Sequence, residues 1–316
     1  MESSSADKFS ALINELPKQP WYGADLYNWK GFWYRPHHLS SAMAASSNFQ
    51  AKDDDVILTS SMKTGTTWMK AIIPTIMNPV GRTDDDSLDP LLKHHPNELI
   101  PSLEIQLYSV NPHPDLSNMV SPRLFRTHMA YPLLSESIKT SGCKIVYITR
   151  DPKDTFVSTC HFMNSVIAAR GVEPWPMSEA FESFCKGVHA FGPFHDHVLG
   201  YWKESLKRPE KICFMRYEDM KKDPKGEVKK LACFLGRPFE KDQEVEKLVW
   251  RCSLERLKNL EMNQHGVDPW LGIDYKHYFR RGIVGDWKNH FTDEMKEKLD
   301  QLTAMKFEGS GLSLGY

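Results

Sequence analysis

A lysine, a glycine and three threonines stand between an apolar run and the start of an amphipathic stretch. The run Val56-Ile57-Leu58 predicts a strand, and the stretch from Met69-Lys70-Ala71-Ile72 predicts a helix. At a strand–loop–helix joint of this composition, backbone N–H groups, the helix dipole, hydroxyl groups and one ammonium group converge on a tetrahedral anion. In the nucleoside-triphosphate loop the lysine follows the second glycine, whereas here it precedes the glycine. The predicted anion-binding loop consists of Lys63, Thr64, Gly65, Thr66, Thr67 and Trp68.

One histidine lies where a second strand, predicted over residues 123–128, comes to its end. His128 is a candidate to take a proton from an alcohol or a phenol, since a histidine with a pKa near neutral serves as a general base worth about 10²–10⁴-fold in rate. Taken alone, a histidine at the end of a strand is more often structural. Its place beside an anion-binding loop, at the same edge of a parallel sheet, favours the base. Lys63 would neutralise the charge that develops on the leaving oxygen of a transferred group.

A second set of candidate anion-binding residues follows the apolar strand predicted over residues 144–149. Arg150 stands directly after this strand, and Ser158 lies two turns into the helix that Asp151-Pro152 is predicted to open. Together with the N-terminal amides of the helix, these two side chains would form a pocket for a second phosphate. A glycine-containing loop near the C-terminus adds Arg280, Arg281 and Gly282.

Strands that alternate with helices along the chain predict an α/β fold with a central, mostly parallel sheet and helices on both faces. Ligands of such sheets bind at the carboxyl ends of the strands. We predict one domain over residues 1–316, with a core from about 50 to 310 and an aromatic-rich segment, about 1–50, along an acceptor pocket. The predicted strands cover 56–58, 123–128, 144–149 and 212–217. The predicted helices start at 69 and cover 134–138, 151–158, 179–189, 198–206, 227–235, 245–260 and 293–305, with irregular segments at 78–122 and 263–286.

The composition is that of a globular protein without a global charge, because the formal net charge is only −1. Nucleic acid and anionic membranes are therefore not expected as partners, and any anion site must be built from local residues. The apolar runs are too short to span a membrane, and the polar, acidic start lacks the signature of a signal peptide. We expect a cytoplasmic protein whose six cysteines are reduced and mostly buried. Three histidine groups lack companions at metal-ligand spacing, which argues against a metal site: His37-His38, His94-His95 and His195-x-His197.

Five motifs, in this order along nearly the whole chain, resemble the soluble sulfotransferases that use PAPS (3′-phosphoadenosine-5′-phosphosulfate). They are K-T-G-T-T-W, T-H, Y-I-T-R-D-P-K-D-T-F-V-S, R-Y-E-D-M and F-R-R-G-x-V-G-D-W-K-N. Two further segments, S-L-K-R-P-E-K and C-S-L-E-R-L-K-N-L-E, resemble the plant branch of that family. Its members sulfate flavonols, brassinosteroids, hydroxyjasmonates and desulfoglucosinolates.

The resemblance implies the sulfotransferase fold, with the phosphosulfate and the adenine bound by residues 63–68 and the acceptor proton taken by His128. PAPS would be the co-substrate, without a metal. The partner would be a small hydroxylated acceptor such as a flavonoid or phenol, a steroid or an oxylipin, and the protein would be a monomer or a weak homodimer. The resemblance further assigns the 3′-phosphate and the rest of the nucleotide site to Arg150, Ser158, Arg280, Arg281, Gly282, Tyr217 and Ser253.

The sequence departs from the family pattern at four places. Met62 stands where the family usually has Pro. Met129-Ala130 replaces the usual Leu-Pro after the base, and we expect this second departure to reshape the acceptor pocket. Leu254 stands where a Phe often closes over the adenine. In the dimer motif K-x-x-x-T-V-x-x-x-E, Asp293 replaces Val, which argues against the family's small dimer contact.

Two other functions stay open: a nucleotide kinase or NTPase, and a PAPS-binding protein without turnover. The absence of the G-K-[ST] order disfavours the first, and the presence of Lys63 and His128 disfavours the second. The acceptor itself is not identified, although aromatic walls suit a flat, apolar ligand. Those walls are predicted from Trp21, Tyr22, Tyr27, Trp29, Phe32, Trp33, residues 100–108, His161-Phe162 and residues 270–278.

Overall fold

The computed structural model describes residues 5–78 and 85–314 of the 316-residue chain. The N-terminal part comprises helix α1 (Ser5–Glu15), strands β1 (Lys18–Trp21), β2 (Ala24–Trp29) and β3 (Phe32–Tyr34), and helix α2 (Pro36–Asn48). The three strands form an antiparallel sheet in the order β1-β2-β3. Two backbone hydrogen bonds attach its last strand, β3, to the loop at residues 191–192. The N–H of Trp33 donates to the carbonyl oxygen of Gly192 at 2.9 Å, and the N–H of Phe191 donates to the carbonyl oxygen of Trp33 at 2.7 Å.

A sheet of four parallel strands forms the centre of the molecule. Its strands are β4 (Val56–Ser60), β5 (Leu124–Thr127), β6 (Lys144–Thr149) and β7 (Ile212–Arg216), in the spatial order β5-β4-β6-β7. In β4 every residue is buried, and in β6 only the first is not, as expected for parallel strands covered on both faces. Val56 pairs with Leu124 on one side and with Lys144 on the other. A short antiparallel pair, β8 (Val267–Asp268) and β9 (Ile273–Asp274), lies outside this sheet.

Successive residues of the central strands pack into two different hydrophobic clusters. Ile57 and Tyr147 belong to one cluster, and Leu58 and Val146 belong to the other. This alternation follows from the two-residue period of a strand, and it requires helices on both faces of the sheet. The remaining helices are α3 (Thr66–Met77), α4 (Pro96–Leu99), α5 (Tyr108–Val110), α6 (Glu136–Thr140), α7 (Pro152–Ala168), α8 (Met177–Cys185), α9 (Phe194–Lys207), α10 (Tyr217–Lys222), α11 (Pro224–Phe234), α12 (Asp242–Arg251), α13 (Leu254–Asn259), α14 (Glu261–His265) and α15 (Asp293–Phe307).

The predicted α/β fold with a central parallel sheet is confirmed, and its four strands lie within two residues of their predicted bounds. The prediction of one helix over 245–260 is wrong. The chain turns at Cys252 and Ser253 because the hydroxyl of Ser253 accepts a hydrogen bond from the N–H of Arg256 and so starts α13. The N-terminal sheet and α2 were not predicted. The irregular segment predicted over 78–122 includes residues 79–84, which lie outside the described residues, and elsewhere it contains only short helical turns, among them α4 and α5.

In the described part of the chain, no helix combines the length and the apolar character that crossing a bilayer demands. All six cysteines are free thiols. Three of them are buried (Cys143, Cys160 and Cys252), two are half-buried, and Cys233 is exposed.

Candidate active site

The four central strands end at one edge of the sheet, and each is followed there by a candidate site residue. Lys63 lies in the loop after β4, His128 follows β5, Arg150 follows β6 and Tyr217 follows β7. All four line one cavity of about 450 Å³ at the edge where parallel sheets bind ligands. Of the residues predicted for the site, the cavity brings together Lys63, Gly65, Thr66, Thr67, Trp68, His128, Arg150, Ser158, Tyr217, Arg280, Arg281 and Gly282.

Two predicted residues, Thr64 and Ser253, do not line the cavity. Thr64 is fully buried, and its hydroxyl donates to the carbonyl oxygens of Ser61 and Ile148, both at 3.0 Å. The hydroxyl of Ser253 caps α13. Both side chains therefore stabilise the local backbone conformation, so these two residues could contact a ligand only through their backbone groups.

The loop between β4 and α3 adopts a backbone conformation that most residues avoid. Lys63 has φ of 64° and Gly65 has φ of 111°. A residue with a Cβ loses about 1–3 kcal/mol in such a region, and strain of this kind persists at ligand-binding sites where the surroundings enforce it. At Gly65 the surroundings are visible, because a Cβ there would lie 2.8 Å from Cδ2 of Tyr217 and 3.1 Å from Cδ1 of Ile148.

The ammonium group of Lys63 lies against aromatic rings. Its Nζ is 3.9 Å from the ring centre of Phe162 and 5.4 Å from that of Tyr278. Burial, followed by the charges of Arg150 and Arg280, lowers the pKa of Lys63 to about 7. An anion bound next to Lys63 would raise this pKa again and keep the lysine charged.

The imidazole of His128 is held so that one ring nitrogen remains available. Its Nδ1 lies 2.8 Å from the carbonyl oxygen of Ser60, which can only accept, so Nδ1 carries the proton and Nε2 the lone pair. The backbone N–H of His128 donates to Oε1 of Glu104 at 2.7 Å, and its carbonyl oxygen accepts from Nε2 of His197 at 3.0 Å. This tautomer is the one that a general base acting through Nε2 requires.

Burial, followed by the charge of Arg126, lowers the pKa of His128 to about 3. The pKa near neutral that we expected from the residue type is therefore wrong for the unliganded protein. At neutral pH the imidazole is unprotonated, as a base must be, but its proton affinity is low. An anionic ligand in the cavity would raise this pKa, so ligand binding itself would increase the basicity of His128.

Arg150 is buried and joins three segments of the chain. Its Nη2 donates to the carbonyl oxygen of Ile283 at 2.7 Å and lies 3.2 Å from Oδ2 of Asp154. The guanidinium group lies 4.6 Å from the ring centre of Tyr217. Its Nε is buried without a hydrogen-bond partner among the described residues. This donor and the hydroxyl of Ser158, which lines the same cavity, are what the site offers to a second phosphate.

Arg280 and Arg281 share one carboxylate that was not predicted from the sequence. Their Nη1 atoms lie 2.6 Å and 2.7 Å from the two oxygens of the buried Asp286. Burial by itself would raise the pKa of Asp286, but hydrogen bonds from Arg280 and Asn289 outweigh it and hold the pKa well below its usual range. Two arginines on one carboxylate leave a net positive charge, so the loop can still attract an anion.

Trp68 and Leu254 line an apolar part of the cavity, where the sequence predicts the nucleotide. The ring of Trp68 meets that of Tyr217 edge to face, with the ring centres 5.7 Å apart, and its Nε1 is buried without a hydrogen-bond partner in the part of the chain that the structure describes. Leu254 also lines the cavity and packs so close to Gly282 that a Cβ at position 282 would overlap its side chain. Glycine at 282 therefore lets the arginine loop approach α13.

Comparison with known proteins agrees with this geometry. The family described as "Sulfotransferase domain" matches residues 53–311. This chain belongs to the sulfotransferase family. Two relatives from Arabidopsis thaliana, named cytosolic sulfotransferase 10 and cytosolic sulfotransferase 1, are 41% and 42% identical to it, and each match covers 98% of this chain and 96% of the relative. The family predicted from the motifs is thus confirmed.

Two solved structures share the fold of this sulfotransferase. A sulphotransferase of Arabidopsis thaliana is 34% identical, with a TM-score of 0.77 and a match covering 100% of this chain and 99% of the other. A mouse sulfotransferase complexed with PAP is 29% identical, with a TM-score of 0.71 and a match covering 90% of this chain and 95% of the other.

Only some of the residues predicted to form the acceptor walls line the cavity of this sulfotransferase. Among the six N-terminal aromatic residues only Trp21 lines the cavity, because the other five pack into or against the hydrophobic core. Met129 and Ala130 are buried and do not line the cavity, so their departure from the family pattern does not alter the cavity surface directly. The predicted segments contribute Ile105, His161, Phe162, Trp270, Leu271, Lys276, His277 and Tyr278.

A buried polar network beside the cavity was not predicted. The ammonium group of Lys70 bonds the side-chain oxygen of Asn97, whose Nδ2 donates to Oδ2 of Asp268 at 2.9 Å. The hydroxyl of Tyr278 donates to the same oxygen at 2.7 Å. The sequence indicates this network only through Lys70, the one charged residue in the otherwise uncharged helix α3. Such a residue is buried and must find a partner.

The sulfotransferase shows no cluster of His, Cys, Asp or Glu that could hold a metal within residues 5–78 and 85–314. His195 bonds the hydroxyl of Thr303 at 2.9 Å, and His197 lies between the hydroxyl of Tyr147 and the backbone of His128. These two histidines therefore hold the fold together.

Proposed function

We propose that the protein transfers the sulfuryl group of PAPS to a hydroxyl of a small, largely apolar acceptor, giving a sulfate ester and adenosine 3′,5′-bisphosphate. The observation that carries the proposal is the meeting of Lys63, the free Nε2 of His128 and Arg150 in one cavity at the carboxyl edge of the sheet. The acceptors we propose are phenols or flavonoids, steroids, oxylipins and related plant metabolites.

The donor is anionic at both ends, and the cavity has cations for both. The N-terminal amides of α3, with Thr66, Thr67 and Lys63, would bind the phosphosulfate. Arg150 and Ser158 would bind the 3′-phosphate with the arginine loop at 280–282, and the Nε of Arg150, which has no hydrogen-bond partner among residues 5–78 and 85–314, fits that role. Trp68 and Tyr217 would contact the adenosine.

In the reaction, the acceptor oxygen forms a bond to sulfur while the bond from sulfur to the bridging oxygen breaks. The acceptor proton passes to Nε2 of His128, and the electron pair of the broken bond stays on the bridging oxygen of the 5′-phosphate. Lys63 would stabilise that oxygen as negative charge accumulates on it. Bound PAPS would also raise the pKa of His128 from about 3, which couples donor binding to base strength.

The cytosol is the compartment that we propose, in line with the names of the two Arabidopsis relatives. A monomer or a weak homodimer is expected, since Asp293, at the start of α15, places an exposed charge in the dimer motif.

The test is sulfate transfer from radiolabelled PAPS to a panel of phenols, steroids and hydroxylated oxylipins, with and without a metal chelator. Transfer that survives chelation supports the proposal. Transfer of phosphate from ATP with a requirement for magnesium would instead identify a kinase. Tight nucleotide binding without any transfer would identify a binding protein.

A further inference from the structure

A group of basic side chains lines the cavity apart from the residues assigned to PAPS. Arg35, His37 and His38 lie at the start of α2, and Arg170 lies in the turn after α7. We refer to these four residues as the basic cluster. Helix α2 has no acidic residue in its first turn and no side-chain cap, so its N-terminus adds positive potential at the same place.

The basic cluster has no counter-charge in the described part of the chain. The guanidinium group of Arg35 contacts the carbonyl oxygen of Tyr22, at 3.5 Å, and the ring of Trp21, at 5.4 Å. The side chain of Arg170 is exposed and takes part in no ion pair there. Among the described residues that line the cavity, Asp268 is the one carboxylate, and it is already bonded to Asn97 and Tyr278 and to two backbone N–H groups.

Electrostatics within the basic cluster is repulsive. Burial, followed by the charge of Arg170, lowers the pKa of Arg35. Burial, followed by the charge of Arg35, lowers the pKa of His37, and burial and the charge of His37 lower the pKa of His38 to about 3. The Nδ1 of His38 is buried without a hydrogen-bond partner in the described residues. An anion between Arg35 and Arg170 would relieve this repulsion.

A short path of aromatic rings leads from the basic cluster to the base. The ring of His128 lies 5.2 Å from that of Phe191, Phe191 stacks on His38 at 5.8 Å, and His38 lies 4.0 Å from His37. A ligand with its hydroxyl at His128 can therefore extend along Phe191 toward the cluster. The cluster thus belongs to the acceptor side of the cavity.

We infer that the acceptor is a hydroxylated organic acid, whose oxyanion, such as a carboxylate, is held between Arg35 and Arg170 while its hydroxyl faces His128. This inference rests on the proposed sulfuryl transfer and specifies its acceptor. Arginine suits the role because its planar fork of N–H donors matches a carboxylate. The apolar stretch between the two polar ends would pack along Phe191 and Phe162, both of which line the cavity.

The experiment compares acids with their neutral esters. The probes are para-hydroxyphenylpropanoic acid and ω-hydroxydodecanoic acid, each with its methyl ester, and naphthol as a neutral phenol. For the wild-type protein with PAPS, kcat/KM should be about tenfold or more higher for at least one acid than for its ester. In Arg35→Gln and Arg170→Gln, kcat/KM for that acid should fall by about tenfold or more. In the same variants, kcat/KM for the ester and the KM for PAPS should each change by less than about twofold.

Lys203→Gln is the matched control, because it removes one positive charge from an exposed position of α9 outside the cavity. It should leave the preference for the acid unchanged, as a local contact and not net charge is responsible. Retained turnover of the ester shows that each arginine variant is folded.

Three results would overturn the inference alone and leave sulfuryl transfer standing: equal kcat/KM for acid and ester in both pairs, sulfation of naphthol without sulfation of either acid, or an equal loss for acid and ester in the arginine variants. If none of the five compounds and none of the wider panel takes sulfate from PAPS, the proposed function fails, and the inference fails with it.

Discussion

The ring of Tyr217 occupies the space that a side chain at position 65 would need, with Cδ2 only 2.8 Å from the position of a Cβ on Gly65. The first residue of α10 thereby fixes the shape of the loop that follows β4. Since φ of Gly65 is 111°, both the backbone and the neighbouring ring demand glycine.

Gly65→Ala should therefore lower the free energy of unfolding by about 2–4 kcal/mol, from backbone strain and overlap with Tyr217 together. It should also weaken the binding of adenosine 3′,5′-bisphosphate, because the loop must move. Gly236→Ala is the control, since Gly236 has φ of 68° with open space around it, and it should cost about 1–2 kcal/mol without any change in binding. Denaturant unfolding measures the free energy of unfolding, and calorimetry measures nucleotide affinity. Equal changes in both quantities for the two variants would show that Tyr217 does not constrain the loop.

His128→Ala should lower kcat by about 10²–10⁴-fold while nucleotide affinity stays nearly unchanged, because Nε2 handles the acceptor proton and not the donor. His265→Ala, at an exposed position of α14, is the control and should have wild-type kcat. Steady-state rates at neutral pH decide the matter. A His128→Ala enzyme that keeps more than about a tenth of the wild-type kcat would contradict the assignment of the base.

Nucleotide binding at about pH 8 should be accompanied by proton uptake. The pKa of Lys63 is lowered to about 7 in the free protein, and a bound phosphate raises it. At a pH above the pKa of the free protein and below that of the complex, binding therefore adds a proton to the amine. Affinity should accordingly fall as the pH rises above 7. Calorimetry in two buffers with different ionisation enthalpies measures the uptake, which should vanish in Lys63→Met and persist in the control Lys203→Met.

Lys63→Met should also slow the chemical step more than it weakens the binding of PAPS. Its charge is needed most where the bridging oxygen becomes the leaving group, and an interaction that is stronger in the transition state appears in kcat. Single-turnover rates at saturating PAPS are the measurement. A normal rate under these conditions would mean that Lys63 only binds the donor.

Arg150→Ala should weaken the binding of adenosine 3′,5′-bisphosphate by about 2–3 kcal/mol and that of AMP much less, since the lost contact is to the 3′-phosphate. Arg150 also donates to the carbonyl of Ile283, so this variant disturbs the fold as well. Ser158→Ala separates the two effects: it should reduce the same nucleotide preference by about 1 kcal/mol with little loss of stability. Equal losses for both nucleotides in both variants would place the 3′-phosphate elsewhere.

The sequence by itself determined the central sheet and most of the residues that line the cavity where the nucleotide is predicted to bind. Strands β4 and β6 are buried on both faces, and each contains a run of apolar residues, at 56–58 and 145–148, that residue type alone identifies as a buried strand. The loop at 63–68 and the pair of Arg150 and Ser158 are also local, because the strand–loop–helix joint that positions them lies within a few residues. The roles of these residues, and the single domain over 1–316, stay predictions.

Only the tertiary structure decided which charged groups meet and how deeply each one is buried. Asp286 pairs with Arg280 and Arg281, and burial of His128 beside Arg126 shifts its pKa far from the value that the residue type predicts. Arg35 lies at the start of α2 and Arg170 in the turn after α7, and both line the cavity, although no pattern in either segment predicts the other. The physical reason is that sequence periodicity reports which face of an element is buried, whereas charge pairing, desolvation and cavity shape depend on which elements pack against each other.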